Sequence, residues 1–404
     1  KSDKLTEQDA LTVYKLVNSE EENLIVLVTD FIRVSERRTD LKTQLEILNN
    51  LEVSKQEKVT FLITLNCNLE LWTYINDLED EEIEKPYWQS RQGFLYTDSK
   101  DELFYALQKL AQYKKAITYL NTLGWGTYVH KSILTSDEVL KALEDLSLSE
   151  VEDSSHIDHF RNILDFLYSK NDYDLERGAK IDMKFLFVFS GGSYGPRPRN
   201  LYKLMAQKPN EYFGVLSQIY LPKDDQAKQL ELEKLKQNTY HQEIFKVSWD
   251  VFNNFNLIPS MQDDGMLNFE ELNNWISEVR NLALENDRVD ITDSCIGQLL
   301  AKHPINMKEN QGYPIEIYNV LEEINNEHIT ESFRVQISNN LGFTSRGAFE
   351  GGNIERFRAN FFNTIFEAIK FTYPKTSLIF KSLEEKYLAQ AKWEDENALL
   401  RSLE

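Results

Sequence analysis

The stretch DSKDELFYALQKLAQYKKAITYLNTL, Asp98 to Leu123, reads as two helices joined by a short polar break. Asp98 or Ser99 can cap the first, because a side-chain oxygen there accepts an amide hydrogen left free at a helix start. Acidic Asp101 and Glu102 fall in the first turn, where the helix dipole favours negative charge. Leu103, Ala106, Leu107 and Leu110 then recur at helical spacing and form one apolar face. After the break, Tyr113-Lys-Lys-Ala116-Ile117-Thr-Tyr119-Leu120 begins the second helix.

The segments outward of this hairpin share its character. Glu7 to Val17 and Thr39 to Leu51 carry apolar residues at i, i+3 and i+4, and Lys55 to Leu78 reads as one long or two short helices. Leu201, Leu204 and Met205 resume the pattern from Asn200, and Tyr212, Phe213, Val215, Leu216 and Ile219 continue it after Pro209. Ile354, Phe357, Phe361, Phe362, Ile365 and Ile369 make a broad stripe in a helix over 353–373. Pro374 should stop it, with Thr376 or Ser377 starting a last helix that carries Leu383, Tyr387 and Trp393.

Glycine and proline usage agrees. The chain has 15 Gly, about half the usual share of roughly 7%, and only Gly93 and Pro86 precede Leu123. A β-rich chain needs residues at positive φ in its turns, and here they are scarce. Two short apolar runs, 24–28 and 184–189, suit strand or helix; helix is favoured because neither is flanked by turn residues on both sides. The sequence therefore predicts an all-α fold of stacked antiparallel helix hairpins forming an irregular α-solenoid. At 404 residues, two or three folding units or one elongated array are expected. The densest Gly/Pro stretch, 190–199, divides the chain into an N-terminal helical region, 1–189, and a C-terminal one, 200–404. The polar 223–240 segment suits an exposed helix or a mobile connection.

The Tyr113-x-x-Ala116-Ile117-x-x-Leu120 turn resembles that between the paired helices of tetratricopeptide-like repeats, with Ala111 where that family prefers glycine. No exact repeat period is present, so a HEAT-like array is an equal expectation. The C-terminal half, through Gly342-Phe-Thr-Ser-Arg-Gly347, resembles helical C-terminal regions of large bacterial multidomain proteins. That resemblance implies helical architecture and no particular chemistry.

Charge narrows the partners. The chain has 45 Lys and Arg against 66 Asp and Glu, a formal net charge of −21. Nucleic-acid binding draws on cations that neutralise phosphates, and docking on anionic membranes does likewise, so both are disfavoured. No run of 18 apolar residues is present, and Lys1-Ser-Asp-Lys4 leads into a polar segment without the apolar core of a signal peptide. Cys67 and Cys295 are the only cysteines, too few for a disulfide framework, so a reducing, cytoplasmic setting is expected.

Motifs that imitate reactive sites dissolve on inspection. Ser260 to Glu271 imitates the second half of a calcium loop, but Ser260 stands where the first aspartate belongs, so an anionic ligand is lost, and Gln262 offers only a neutral amide at the third position. An Asp264-Gly265 turn, then a helix started by Asn268 and carrying Leu272, Trp275, Ile276 and Val279, describes it better. His156-x-x-His159 lacks a third ligand at metal-site spacing. Ser190 to Gly195 lacks the lysine and spacing of a phosphate-binding loop. No catalytic residue, metal or cofactor is therefore expected.

One loop stands out. Gly342, Gly347, Gly351 and Gly352 fall within eleven residues of a glycine-poor chain, with Thr344, Ser345 and Arg346 among them. Asn353 can cap the following helix, whose free N–H groups, reinforced by Arg346 and Arg356, could hold an anion or a partner's carboxylate. Arg334, Thr344, Ser345, Arg346, Gly351, Gly352, Asn353 and Arg356 are the expected binding residues. The sequence expectation is a non-catalytic, protein-binding or scaffolding helical module. The alternative is an enzyme or sensor that takes a phosphorylated or nucleotide ligand through 342–358.

Overall fold

Side-chain caps set the helix starts. Ser54 and Thr135 each form a capping box with the glutamate three residues on, while Asn68, Asp80, Ser99, Asn268 and Asn326 accept one backbone N–H from the first turn. In this computed structural model the described residues are 41–50, 53–147, 159–170, 172–189, 197–236, 239–262, 265–342, 345–347 and 350–403. The runs at 7–17 and 24–28 lie outside them. Among them are nineteen α-helices and no strand beyond two isolated bridges, Met261 to Leu267 and Asn306 to Gln311.

The chain divides into two compact units between Arg177 and Gly178, ahead of the Gly/Pro stretch, of which 190–196 lie outside the described residues. In the first unit the helices are α1 (Leu41–Asn50), α2 (Lys55–Thr64), α3 (Leu69–Asp77), α4 (Glu81–Gln89), α5 (Lys100–Gln112), α6 (Ala116–Val129), α7 (Ser136–Asp145) and α8 (Phe160–Lys170). The division falls inside α9 (Leu175–Lys184).

The deciding stretch folds as the α5–α6 hairpin. Ser99 caps α5, and Leu103, Ala106, Leu107 and Leu110 are all buried. The second helix starts later than its sequence pattern suggests, at Ala116, because Lys114 turns the chain at φ +59°. Helix α6 has no charged residue from Ala116 to Val129 and packs between α5 and α8. Such an uncharged helix belongs mostly in a core, and only its C-terminal end, at Tyr128 and Val129, is exposed. Gly124 allows the close approach of α8, since a Cβ there would stand 2.2 Å from the His159 carbonyl oxygen.

In the second unit follow α10 (Arg199–Gln207), α11 (Pro209–Ile219), α12 (Asp225–Lys236), α13 (Thr239–Asn254), α14 (Phe269–Glu285), α15 (Val289–Leu300), α16 (Ile315–Ile324), α17 (Glu327–Asn340), α18 (Asn353–Ile369) and α19 (Pro374–Leu403). The run at 184–189 is helical, the end of α9 and a 3₁₀ turn, Leu186–Phe189. The 223–240 segment contains α12, tied by Glu231 to the buried Arg288 at 2.7 Å. Helix α11 packs on α14 and α13, α15 on α17, and α18 on α19.

Helix α19 starts at Pro374 rather than at Thr376 or Ser377: proline suits a first turn, and Glu322 accepts the free N–H groups of Lys375 and Thr376. Phe357, an expected stripe residue, is instead 51% exposed, and Trp393 of the last helix is 60% exposed. No described helix is long and apolar enough to cross a membrane.

Candidate binding surfaces

The glycine-rich loop connects α17 to α18. Of its described glycines only Gly342 needs positive φ, at +62°; Gly351 and Gly352 are required by close packing. A Cβ on Gly352 would stand 2.3 Å from the Ala391 carbonyl oxygen, and one on Gly351 2.3 Å from Asp395 Oδ1, so the loop lies directly on α19.

That contact supplies the anion the loop was expected to hold. The Gly352 N–H donates to Asp395 Oδ1 at 2.8 Å, and Arg356 pairs with the other oxygen of the same carboxylate. Gly352, not Asn353, is the N-cap residue; Asn353 is the first residue of α18 and accepts from Arg356 at 3.4 Å. The hydrogen bond from Gly352 and the Arg356 guanidinium hold the Asp395 carboxyl below its ordinary range.

Arg346 grips Glu355 with two hydrogen bonds, 2.6 and 3.1 Å, and reaches Glu394 at 3.2 Å. Glu355 is 6% exposed at its side chain. Burial, the largest single influence, opposes its ionisation, yet the Arg346 hydrogen bonds and charge with its other partners outweigh that and hold its carboxyl below the usual glutamate range. Arg358 donates to the Leu341 carbonyl at 3.0 Å.

The structure thus brings Arg346, Gly351, Gly352, Asn353 and Arg356 together, against carboxylates of the same chain. Arg334 stays apart, paired with Glu331 one turn earlier on α17. Ser345 is exposed, and Thr344 lies outside the described residues.

The calcium-loop imitation is a tight hairpin. Met261 bridges to Leu267, Gly265 turns the chain at φ +82°, and Asn268 caps α14, whose Leu272, Trp275, Ile276 and Val279 are buried. Asp264 and His156 lie outside the described residues.

A second surface was not marked by any sequence motif. In the first unit, residues 91–97, which turn at Gly93 (φ +71°), lie against α6 and its C-terminal end and are pinned there at three places. Thr118 Oγ1 donates to the Arg91 carbonyl at 3.3 Å, the Leu95 N–H donates to Thr122 Oγ1 at 2.9 Å, and His130 Nε2 stands 3.2 Å from the Thr97 carbonyl oxygen. Leu95 faces inward, 4% exposed, so its neighbours Phe94 and Tyr96 face out, 40% and 55% exposed. Both meet Trp125, which in turn meets Tyr128 three residues on along α6. Ring centroids lie 4.9 Å apart for Phe94 and Trp125, 6.3 Å for Tyr96 and Trp125, and 5.9 Å for Trp125 and Tyr128.

His159 closes the cluster edge-on to Phe94 at 4.9 Å. Tyr128 is 67% exposed, and Val129 and Ile133, close to it in sequence, are exposed as well. The Trp125 indole nitrogen is shielded and has no hydrogen-bond partner among the described residues. The signal legible in sequence is the inward–outward alternation of Phe94-Leu95-Tyr96 and the spacing of Trp125 to Tyr128.

No family model matches the chain, and neither curated proteins nor solved structures provide a match.

Proposed function

We propose that the chain is a non-catalytic protein-binding module of stacked helices, and that the Phe94–Tyr96–Trp125–Tyr128 face is where a protein partner docks. The observation that carries this is the clustering of four aromatic side chains, three of them at least 40% exposed, on backbone anchored at three places. Aromatic side chains deliver large contact area at small entropic cost and dominate binding hot spots. A contiguous apolar patch of this kind is uncommon on an isolated surface. Stacked hairpins of the tetratricopeptide or HEAT type would present it on a repeat scaffold, and the two free thiols, Cys67 and Cys295, favour a reducing, cytoplasmic setting.

The alternative, a phosphate or nucleotide ligand at the Gly/Arg loop, would have to displace Glu355 from Arg346 and Asp395 from Arg356. Selection of a displayed peptide library on the intact chain, with counter-selection on Tyr96→Ala/Tyr128→Ala, tests the proposal. Enrichment of peptides that ignore the variant supports it. Recovery of the same sequences from both proteins would refute it.

A further inference from the structure

A cleft of about 810 Å³ opens in the second unit between α10, the 257–262 segment and α14. One face of α14 lines it, with Glu271, Asn274, Trp275 and Glu278 at i, i+3, i+4 and i+7. Trp275 is 5% exposed and locked by its indole N–H, which donates to the Met205 carbonyl at 3.2 Å, so it makes a fixed apolar floor.

Glu271 and Glu278 are exposed, and neither makes an ion pair among the described residues. Lys203 is the one cation among the described lining residues and has an interaction of its own. In the lining, Ser260 is held at φ +63°, and its shielded hydroxyl has no partner among the described residues. Backbone held in a sparsely populated region collects at ligand sites.

We propose that this cleft binds an extended cationic segment of a partner protein that carries arginine or lysine at positions i and i+3. Charge complementarity selects the cation: two carboxylates without ion-pair partners among the described residues line the space, on a chain of net charge −21. The spacing selects the conformation. Seven residues along α14 separate Glu271 from Glu278, roughly 10.5 Å at the rise of an α-helix. A polyproline-II segment brings side chains i and i+3 to the same side at about 9.3 Å, whereas a β-strand sends them to opposite faces. Asn274, between the two carboxylates, is placed to bond the peptide backbone, which in polyproline II has no internal partners. Trp275 accommodates the aliphatic stems. This site is independent of the aromatic face in the first unit.

The test is fluorescence anisotropy of a labelled Pro-Arg-Pro-Pro-Arg-Pro peptide with the full chain at about 150 mM salt, where weak surface attraction is screened. Saturable binding is expected, weakened about tenfold by Glu271→Gln/Glu278→Gln and unchanged by Glu309→Gln/Glu385→Gln, which removes the same charge elsewhere. A Pro-Arg-Arg-Pro-Pro-Pro peptide should bind about tenfold more weakly. Absence of saturable binding, equal loss in the control variant, or indifference to spacing would overturn the proposal. Equal displacement by free spermidine at the same concentration would overturn the peptide in favour of a polyamine.

Discussion

The backbone N–H of Leu95 donates to the buried hydroxyl of Thr122 at 2.9 Å, fixing the 91–97 segment against the middle of α6. Thr122 is fully buried and Leu95 nearly so, so water cannot replace the bond when it is lost. Thr122→Val keeps the shape and removes the acceptor. It should cost about 1–3 kcal/mol, the penalty for a buried unsatisfied donor, and should weaken ligands of the Phe94–Tyr96 face. Thr122→Ser should retain both properties. Urea unfolding and peptide affinity on the same samples check this; a Val variant as stable as wild type would contradict it.

Removing Arg346 leaves Glu355 nearly buried without its cation. Arg346→Ala should cost about 2–3 kcal/mol, under the 3–5 of a deeply buried pair because Arg346 and Glu394 reach the solvent edge. Adding Glu355→Gln should restore part of that stability, read by thermal or urea unfolding.

The same pair sets an acid sensitivity. Glu355 has a folded pKa below its ordinary 4.5. Its contribution is therefore present above the unfolded value and disappears as pH falls through the folded one. The stability difference between wild type and Glu355→Gln should shrink as pH is lowered from about 5.5 towards 3.5. A difference constant over that range would contradict the ion pair.

Glycine substitutions should separate two reasons for glycine. Gly352→Ala drives a methyl into the Ala391 backbone and should cost about 1–3 kcal/mol. Gly265→Ala meets open space and is strained only by φ +82°, costing on the order of 1 kcal/mol. Equilibrium unfolding of both variants ranks them.

The two thiols should react unequally. Cys295 is 3% exposed, and burial pushes its thiol up to about 12; Cys67 is partly exposed, with Arg91 3.1 Å from its sulfur. Iodoacetamide on the native protein near neutral pH should label Cys67, with Cys295 reacting after unfolding, as mass spectrometry of tryptic peptides would reveal.

The helices were legible because caps, spacing and scarce glycine agree, as at Ser99 and Leu103 to Leu110. Which stripe residues reach the core was less so. At 3.6 residues per turn, Phe357 lies roughly 115° off the centre of its helix's buried apolar face and Trp393 roughly 110° off, and both are exposed. The Gly/Arg loop was visible from its glycines, yet the carboxylate that fills it, Asp395, lies 43 residues beyond Gly352. Local pattern cannot distinguish an internal acceptor from a ligand. The aromatic face was hidden for a related reason. Phe94 and Tyr96 acquire their neighbours only when the chain returns 27 residues after Leu95 to offer Thr122.

The most direct measurement is the affinity of a peptide selected on the intact chain for wild type, Phe94→Ala and Tyr128→Ala, by isothermal titration at equal pH and salt. Truncating a hot-spot aromatic side chain costs at least 2 kcal/mol, about thirtyfold in Kd. The account predicts losses near that size for both variants, with unfolding midpoints close to wild type. Undiminished affinity in both variants would contradict docking at the aromatic face.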